Sequence, residues 1–306
     1  MLAACLESLR PLLDGEATEV VVVDDGSVSD EAQRIESVVA AFHGSAFAVR
    51  IPHSGAASAR NRGLAMAHRR FVWFVDADDF LLPGCERIIP ILQSLPDDAD
   101  IMTMGSMHLM RKADQRFHAP EPFAEATSEV SKESILVPHT PSLDHFTLII
   151  RRTFLLAHPD LRYVEDMSIL EDTVFTLRLT ESAEKIYSNP TLRFYVHRAC
   201  QPSLTAGAWS TERSRLFIGD ICRFFVFFNG FVARHREWEG VSALYRRYRY
   251  VYLRVLAVKG CPWTHLSQFR DTVSPMGLPH SIPEAFLFLK PTHRLLAFLC
   301  RTLRNN

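Results

Sequence analysis

No cysteine pairing is legible in this sequence. Cys5, Cys85, Cys200, Cys222, Cys261 and Cys300 lie far apart with no C-x-x-C among them. That excludes the common zinc-site spacings and a dense disulfide framework, and fits reduced thiols. The N-terminus lacks the basic start, apolar stretch and small-residue cleavage site of a signal peptide. No uninterrupted apolar run reaches membrane-spanning length; the most apolar stretch, Phe224 to Val232, is short and follows Asp220 and Arg223. Internal repeats and low-complexity linkers are also wanting. What is present is a 306-residue chain with 47% apolar residues, enough for one substantial domain plus an extension.

An excess of one charge is missing overall, the net charge being −1, yet the two parts of the chain differ sharply. Residues Trp209 to Asn306 carry 15 basic against 6 acidic side chains, and the residues before them 19 against 29. An acidic front suits a site that holds a divalent metal, and a basic, aromatic-rich back suits an anionic surface such as lipid headgroups. An Arg-rich solvated helix face explains the back equally well.

Two β-branched apolar runs, Val20–Val23 and Phe71–Val75, end abruptly in aspartate clusters, as buried parallel strands do when their carboxyl ends open onto a site. Further strands are expected at Phe47–Ile51, Ile101–Met107, His145–Ile150 and Leu192–His197. Helices are expected at Asp30–Phe42, Ala56–His68, around Ile88–Leu95 despite Pro90, and at Asp172–Thr180. This alternation predicts an α/β architecture. It divides into a nucleotide-binding half at residues 1–106, an acceptor half at 107–208, and a helical region at 209–306 with patterns through Val232, from Val241 to Val258 and at Pro283–Leu303.

Chemistry concentrates in four segments. Asp24-Asp25-Gly26-Ser27 closes the first apolar run with two carboxylates that can accept hydrogen bonds from a nucleobase or ribose, although Asp-Gly is also an ordinary turn. Arg60 and Asn61 lie in a small-residue stretch, where Arg60 can reach a base or phosphate. Asp76-Ala77-Asp78-Asp79 crowds three acidic groups that repel unless a cation or donor neutralises them. Mg²⁺ or Mn²⁺ needs few protein carboxylates when phosphates supply its other ligands. Glu171-Asp172 stands at a helix start, which read alone is a plain acidic first turn.

The ordered set Val-Asp-Asp-Gly-Ser (23–27), Ala-Arg-Asn-Arg-Gly (59–63), Phe-Val-Asp-Ala-Asp-Asp (74–79) and Leu-Glu-Asp-Thr-Val-Phe (170–175) resembles the family 2 glycosyltransferases with the GT-A fold. The resemblance covers roughly residues 1–205 and leaves the last hundred unmatched. It implies a mixed Rossmann-like sheet and an inverting transfer from a nucleotide-diphosphate sugar, a UDP-sugar, to a hydroxyl of a glycan or lipid-linked acceptor in bacterial polysaccharide synthesis. By position it implies that Asp24 and Asp25 contact the nucleoside with Arg60 near the base. Asp76 and Asp78 then form the D-x-D element, Asp78 as direct metal ligand and Asp76 as metal or ribose contact. The Glu171-Asp172 pair becomes the catalytic motif with Asp172 as general base. Arg198 of Tyr195-Val196-His197-Arg198 resembles an arginine that closes over the diphosphate; His197 stands where an aromatic residue is more usual.

Family members usually begin with a strand of the type Val-Ser-Val-Ile-Ile-Pro-Val-Tyr-Asn before a helix like Leu2–Leu12, whereas this sequence begins in that helix. The expectation is therefore either a longer natural protein or a damaged copy. Two rival functions remain open. One is a metal-dependent phosphohydrolase with Asp76 as nucleophile, although the usual Thr or Val after the second aspartate is lacking. The other is a non-catalytic nucleotide-sugar binder. The expected place is the cytoplasm, peripheral at the inner face of the membrane, where Lys290, Arg294, Arg301 and Arg304 would face anionic lipid; no nucleic-acid partner is expected.

Overall fold

A computed structural model describes residues 1–13, 17–42, 45–105, 108–110, 127–136, 145–198 and 210–248, which fall into two compact units, Met1–Gln201 and Pro202–Asn306. The first unit contains helices α1 (Leu2–Leu13), α2 (Ser29–Ala40), α3 (Ala56–Met66), α4 (Ile88–Ser94), α5 (Arg152–Ala157) and α6 (Glu171–Ser182). Its strands are β1 (Val20–Asp25), β2 (Ala46–Ile51), β3 (Phe71–Trp73), β4 (Phe80–Leu81), β5 (Ile101–Met104), β6 (His108–Met110), β7 (Ser128–Val130), β8 (Leu148–Arg151), β9 (Ile186–Asn189) and β10 (Tyr195–Arg198). Pro90 falls in the first turn of α4, where backbone N–H groups have no intrahelical partner to lose.

The strands form three sheets. β1 and β2 pair in parallel from Val20 opposite Ala46 to Asp25 opposite Ile51. Five strands follow the order β3-β8-β5-β9-β7, and three the order β4-β10-β6. The five-stranded sheet interleaves strands from both expected halves of residues 1–208, and β3 meets β8 antiparallel, not parallel as its apolar run suggests.

Several strands differ from the sequence reading for local reasons. β3 stops at Trp73, and just beyond it the Asp76 N–H donates to the Tyr195 hydroxyl at 3.1 Å instead of to a neighbouring strand. β5 stops at Met104, since the next N–H, on Gly105, donates to Leu192 O at 2.9 Å. A Cβ on Gly105 would lie 1.9 Å from Pro190 O, so glycine is required there. His145–Thr147 is a 3-10 turn that leads into β8.

One core cluster joins α1 (Cys5, Leu6, Leu9, Leu12) to Val39, Ile88, Met102 and Phe194; a second joins Ala57 and Leu64 of α3 to Val72, Ile150, Phe175 and Leu179. Cys5, Cys85 and Cys222 are buried free thiols, and burial pushes Cys5 and Cys85 up to about 12. Between β1 and β3 lies a cavity of about 660 Å³, lined by Val20–Val23, Phe71–Val75 and the apolar face of α1. Among the described residues β1 pairs only with β2 and β3 only with β8, so both strands present a bare edge.

In the second unit, α7 (Thr211–Arg234) is capped by Ser210, whose side chain accepts from Arg213 N at 3.2 Å. Its Phe224, Phe225, Phe228 and Phe231 are fully buried, with Tyr245 edge-on to Phe225. The stretch Arg215–Arg234, which Asp220 and Arg223 interrupt, is long and apolar enough to cross a membrane by length and composition, although more than half of it is buried within the protein. The expected helix at Pro283–Leu303, with Lys290, Arg294, Arg301 and Arg304, lies outside the described residues.

Candidate functional site

At the end of β1, Asp24 is buried. It accepts the Ser27 N–H at 2.9 Å and lies 3.4 Å from the Arg50 guanidinium. Gly26 has φ +75°, and a Cβ there would lie 2.6 Å from His53 N, so only glycine permits this turn. Asp25 accepts the backbone N–H groups of Ser54 and Gly55 at 2.7 and 2.9 Å and lies 2.8 Å from His53 Nδ1. Both carboxylates expected at the nucleoside thus brace the loops between β1 and α3, with 22% of the Asp25 side chain still exposed.

The loop after β3 separates its three aspartates. Asp79 is fully buried and accepts from the Tyr195 hydroxyl at 2.7 Å and Arg198 N at 2.8 Å, with His197 Nδ1 at 3.2 Å. It ties this loop to β10. Asp78 is partly exposed; burial and the charges of Asp79 and Asp76 raise its pKa, a crowding that a cation would relieve. Arg198 stacks its guanidinium 4.7 Å over the Phe80 ring, and among the described residues its buried Nε has no hydrogen-bond partner.

Asp76 is the hub. Its Oδ1 accepts from Arg60 at 3.0 Å, and Arg60 also donates to Glu171 Oε1 at 2.7 Å. Arg60 therefore bridges the loop after β3 to the first residue of α6 and lies over the Tyr163 ring at 5.3 Å, where the sequence reading set it against a base or phosphate. A second bridge runs through His145, whose Nε2 is 3.7 Å from Asp76 and whose Nδ1 is 3.8 Å from Asp172.

The residue before α6, Leu170, has φ +67°, unique among the described non-glycine residues. The left-handed conformation costs roughly 1–2 kcal/mol for an L-residue, and burial of the Leu170 side chain in the core holds it. This turn sets Glu171 against Arg60 and leaves 32% of the Asp172 side chain exposed. Burial and the Asp172 charge raise the Glu171 pKa. Burial opposes ionisation of Asp172 too, but His145, Arg60 and the Thr173 N–H, 2.6 Å from its Oδ1, hold it below the usual range. Asp76 is likewise held low, by His145 and Arg60 against burial. Adjacent carboxyls with pKa values driven apart are the arrangement from which acid and base roles are assigned, and Asp172 is the more readily ionised and more accessible of the two.

Among the described residues no group of three or more His, Cys, Asp or Glu side chains could by itself hold a metal ion. These residues therefore form no all-protein cage; what the crowded, part-exposed Asp78 beside Asp76 would suit is a hard divalent cation completed by oxygens of a bound diphosphate. Sequence reasoning passed over His145, Tyr163, Tyr195 and the anchoring role of Asp79. His145 reads in sequence only as the start of a strand, with no partner residues to mark it as part of a site; for Asp79, only its proximity to Asp76 was visible.

The sequence profile described as "Glycosyl transferase family 2" matches residues 1–155. The succinoglycan biosynthesis protein ExoU of Rhizobium meliloti (strain 1021) is 40% identical over 74 residues, which are 24% of this chain and 21% of that protein. The uncharacterized glycosyltransferase EpsJ of Bacillus subtilis (strain 168) is 26% identical over 191 residues, 60% of this chain and 53% of that protein. The matches thus span between about a fifth and a half of these relatives. Among solved structures, S. aureus TarS 1–349 in complex with UDP-GlcNAc superposes with a TM-score of 0.62 at 18% identity, covering 93% of this chain and 79% of that one. At that identity the likeness shows the fold, of the GT-A type.

Proposed function

The chain belongs to glycosyl transferase family 2, as the match over residues 1–155 shows, and from that premise we propose that it transfers a sugar, with inversion, from a UDP-sugar to a hydroxyl of a glycan or lipid-linked acceptor. The observation that supports this reading is the convergence of Asp76, Arg60, Glu171 and Asp172 from three separate elements, with one carboxylate held ionised and open. The relative named for succinoglycan biosynthesis and the TarS complex with UDP-GlcNAc favour a polysaccharide acceptor and a UDP-sugar donor.

In this reading Asp172 takes the proton from the acceptor hydroxyl as its oxygen attacks the anomeric carbon and the bond to the departing diphosphate breaks. The N-terminus of α6 favours its negative charge. Glu171 and Arg60 hold the helix start against the loop after β3, and Arg198 offers positive charge to the diphosphate. A Mg²⁺ or Mn²⁺ ion held by Asp78 and Asp76 would supply neutralisation of charge developing on the diphosphate.

UDP release from UDP-GlcNAc, UDP-glucose and UDP-galactose, measured with and without Mn²⁺, tests this. Turnover of at least one donor, abolished by chelator and by Asp78→Ala without loss of thermal stability, is the expected result. Asp172→Asn should lower turnover by about 10²-fold or more with UDP affinity nearly unchanged. No turnover of any of the three sinks the proposed donor class.

A further inference from the structure

His145 is 2% exposed, and among the described residues neither ring nitrogen has a hydrogen-bond partner. A buried polar group without one is costly and calls for an explanation. Each nitrogen instead faces a different carboxylate, Nε2 toward Asp76 at 3.7 Å and Nδ1 toward Asp172 at 3.8 Å. These distances are too long for direct hydrogen bonds and, when the ring is protonated, short enough for electrostatic attraction. The ring is held edge-on by Phe74, Phe146 and Tyr163, with centroids at 6.2, 5.3 and 5.9 Å. Three aromatic contacts fix its plane, so the direction in which each nitrogen points is set by packing and not by the carboxylates.

We propose that His145 is a positioning residue that sets the separation between the base Asp172 and the diphosphate-side carboxylate Asp76, acting through Asp172 and touching neither substrate. The proposal rests on the reading of Asp172 as base. Its physical ground is that α6 and the loop after β3 are joined near their carboxylates by two bridges of different kind. Arg60 links Asp76 to Glu171 by two charge-assisted hydrogen bonds and fixes the main-chain start of the helix. It does not hold the Asp172 side chain, whose other hydrogen bonds among the described residues are local, to Thr173. His145 supplies the missing restraint from the far side of the site. A base misplaced by about 1 Å can lose about 10²-fold in rate.

The test uses the full chain and the fastest of UDP-GlcNAc, UDP-glucose and UDP-galactose. His145→Phe keeps an aromatic ring in the same pocket and removes both nitrogens; His145→Gln restores one donor. His145→Phe should lower kcat about 10- to 100-fold with KM for the UDP-sugar within about 3-fold, and His145→Gln should recover part of kcat. The double variant His145→Phe/Asp172→Asn should be no slower than Asp172→Asn alone, because two residues acting as a unit do not lose rate additively. Normal kcat in His145→Phe while Asp172→Asn is slow overturns the role of His145 alone; normal turnover in Asp172→Asn overturns the base reading and this proposal with it. Losses that multiply in the double variant, or a kcat loss accompanied by a matching drop in Tm and no recovery in His145→Gln, make His145 a structural residue.

Discussion

Asp79 has no exposed surface, and its carboxylate gathers the Tyr195 hydroxyl, the His197 ring and the Arg198 N–H around it. Its neighbour Asp78 is crowded and part exposed, and Asp76 is doubly bridged. Three aspartates in four positions therefore serve as buried anchor, open carboxylate and hub. Nothing in Asp-Ala-Asp-Asp distinguishes them, because the difference comes from β10 and α6, distant in sequence. The strand that delivers them was legible, since an apolar run ending in carboxylates has few other uses in an α/β protein. The His197–Asp79 contact has a measurable consequence. The hydrogen bond to Asp79, with the charges of Asp79, Asp78 and Asp76 behind it, raises the His197 pKa above 6.5 against partial burial. A folded-state value above the unfolded one means that stabilisation is complete below about pH 6.5 and is lost as pH rises through the folded value. His197→Phe, which can keep the parallel stacking with Phe146, should flatten the decline of Tm between about pH 6 and pH 8. Parallel curves for the two proteins would mean that His197 contributes no protonation-linked stability.

At the scale of elements, the longest patterns were the most legible. β1, β2, α2, α3 and α6 stand within a few residues of the apolar periodicities that mark them, and the parallel pairing of β1 with β2 follows from the intervening helix. Short pieces such as β7, β9 and α5 carry too few side chains for periodicity to speak, and β9 is defined by its partners β5 and β7. The separation of β1 from β3 has the largest energetic consequence. Val20–Val23 and Phe71–Val75 line one apolar cavity of about 660 Å³, and two strand edges that no other described strand pairs border it. An extended apolar segment there would complete both ladders and merge the two sheets. Fusing Val-Ser-Val-Ile-Ile-Pro-Val-Tyr-Asn ahead of Met1 should therefore raise Tm; about 1 kcal/mol of added stability shifts Tm by roughly 2–4 °C in a unit of this size. A control in which Asp replaces every second residue of the added segment should give no rise. Equal Tm for the fusion, the control and the parent chain would show that the space does not accept a strand.

Across the whole molecule, charge and apolar surface divide between the two units. The acidic residues 1–208 contain the carboxylate cluster, and the 15 basic side chains from Trp209 onward accompany a phenylalanine-rich helix. That helix admits two relations to a membrane. By length and composition Arg215–Arg234 could span it, but Phe224, Phe225, Phe228 and Phe231 are buried within the protein, and Asp220 is buried beside Arg223 at 2.7 Å. A helix that directs its aromatic face inward and carries a buried carboxylate leaves Leu216 and Val226, rather than its aromatic face, as apolar surface for lipid. Peripheral attachment through basic residues is then the expected association, each group near an anionic surface contributing about 1 kcal/mol. The full chain should sediment with vesicles containing phosphatidylserine at low salt and leave them at high salt. Reversing Lys290, Arg294, Arg301 and Arg304 to Glu should abolish the binding while UDP release from a soluble donor stays unchanged. Retention on membranes through both high salt and alkaline carbonate would instead make Arg215–Arg234 a spanning helix, and binding to neutral vesicles as strong as to anionic ones would exclude the electrostatic account.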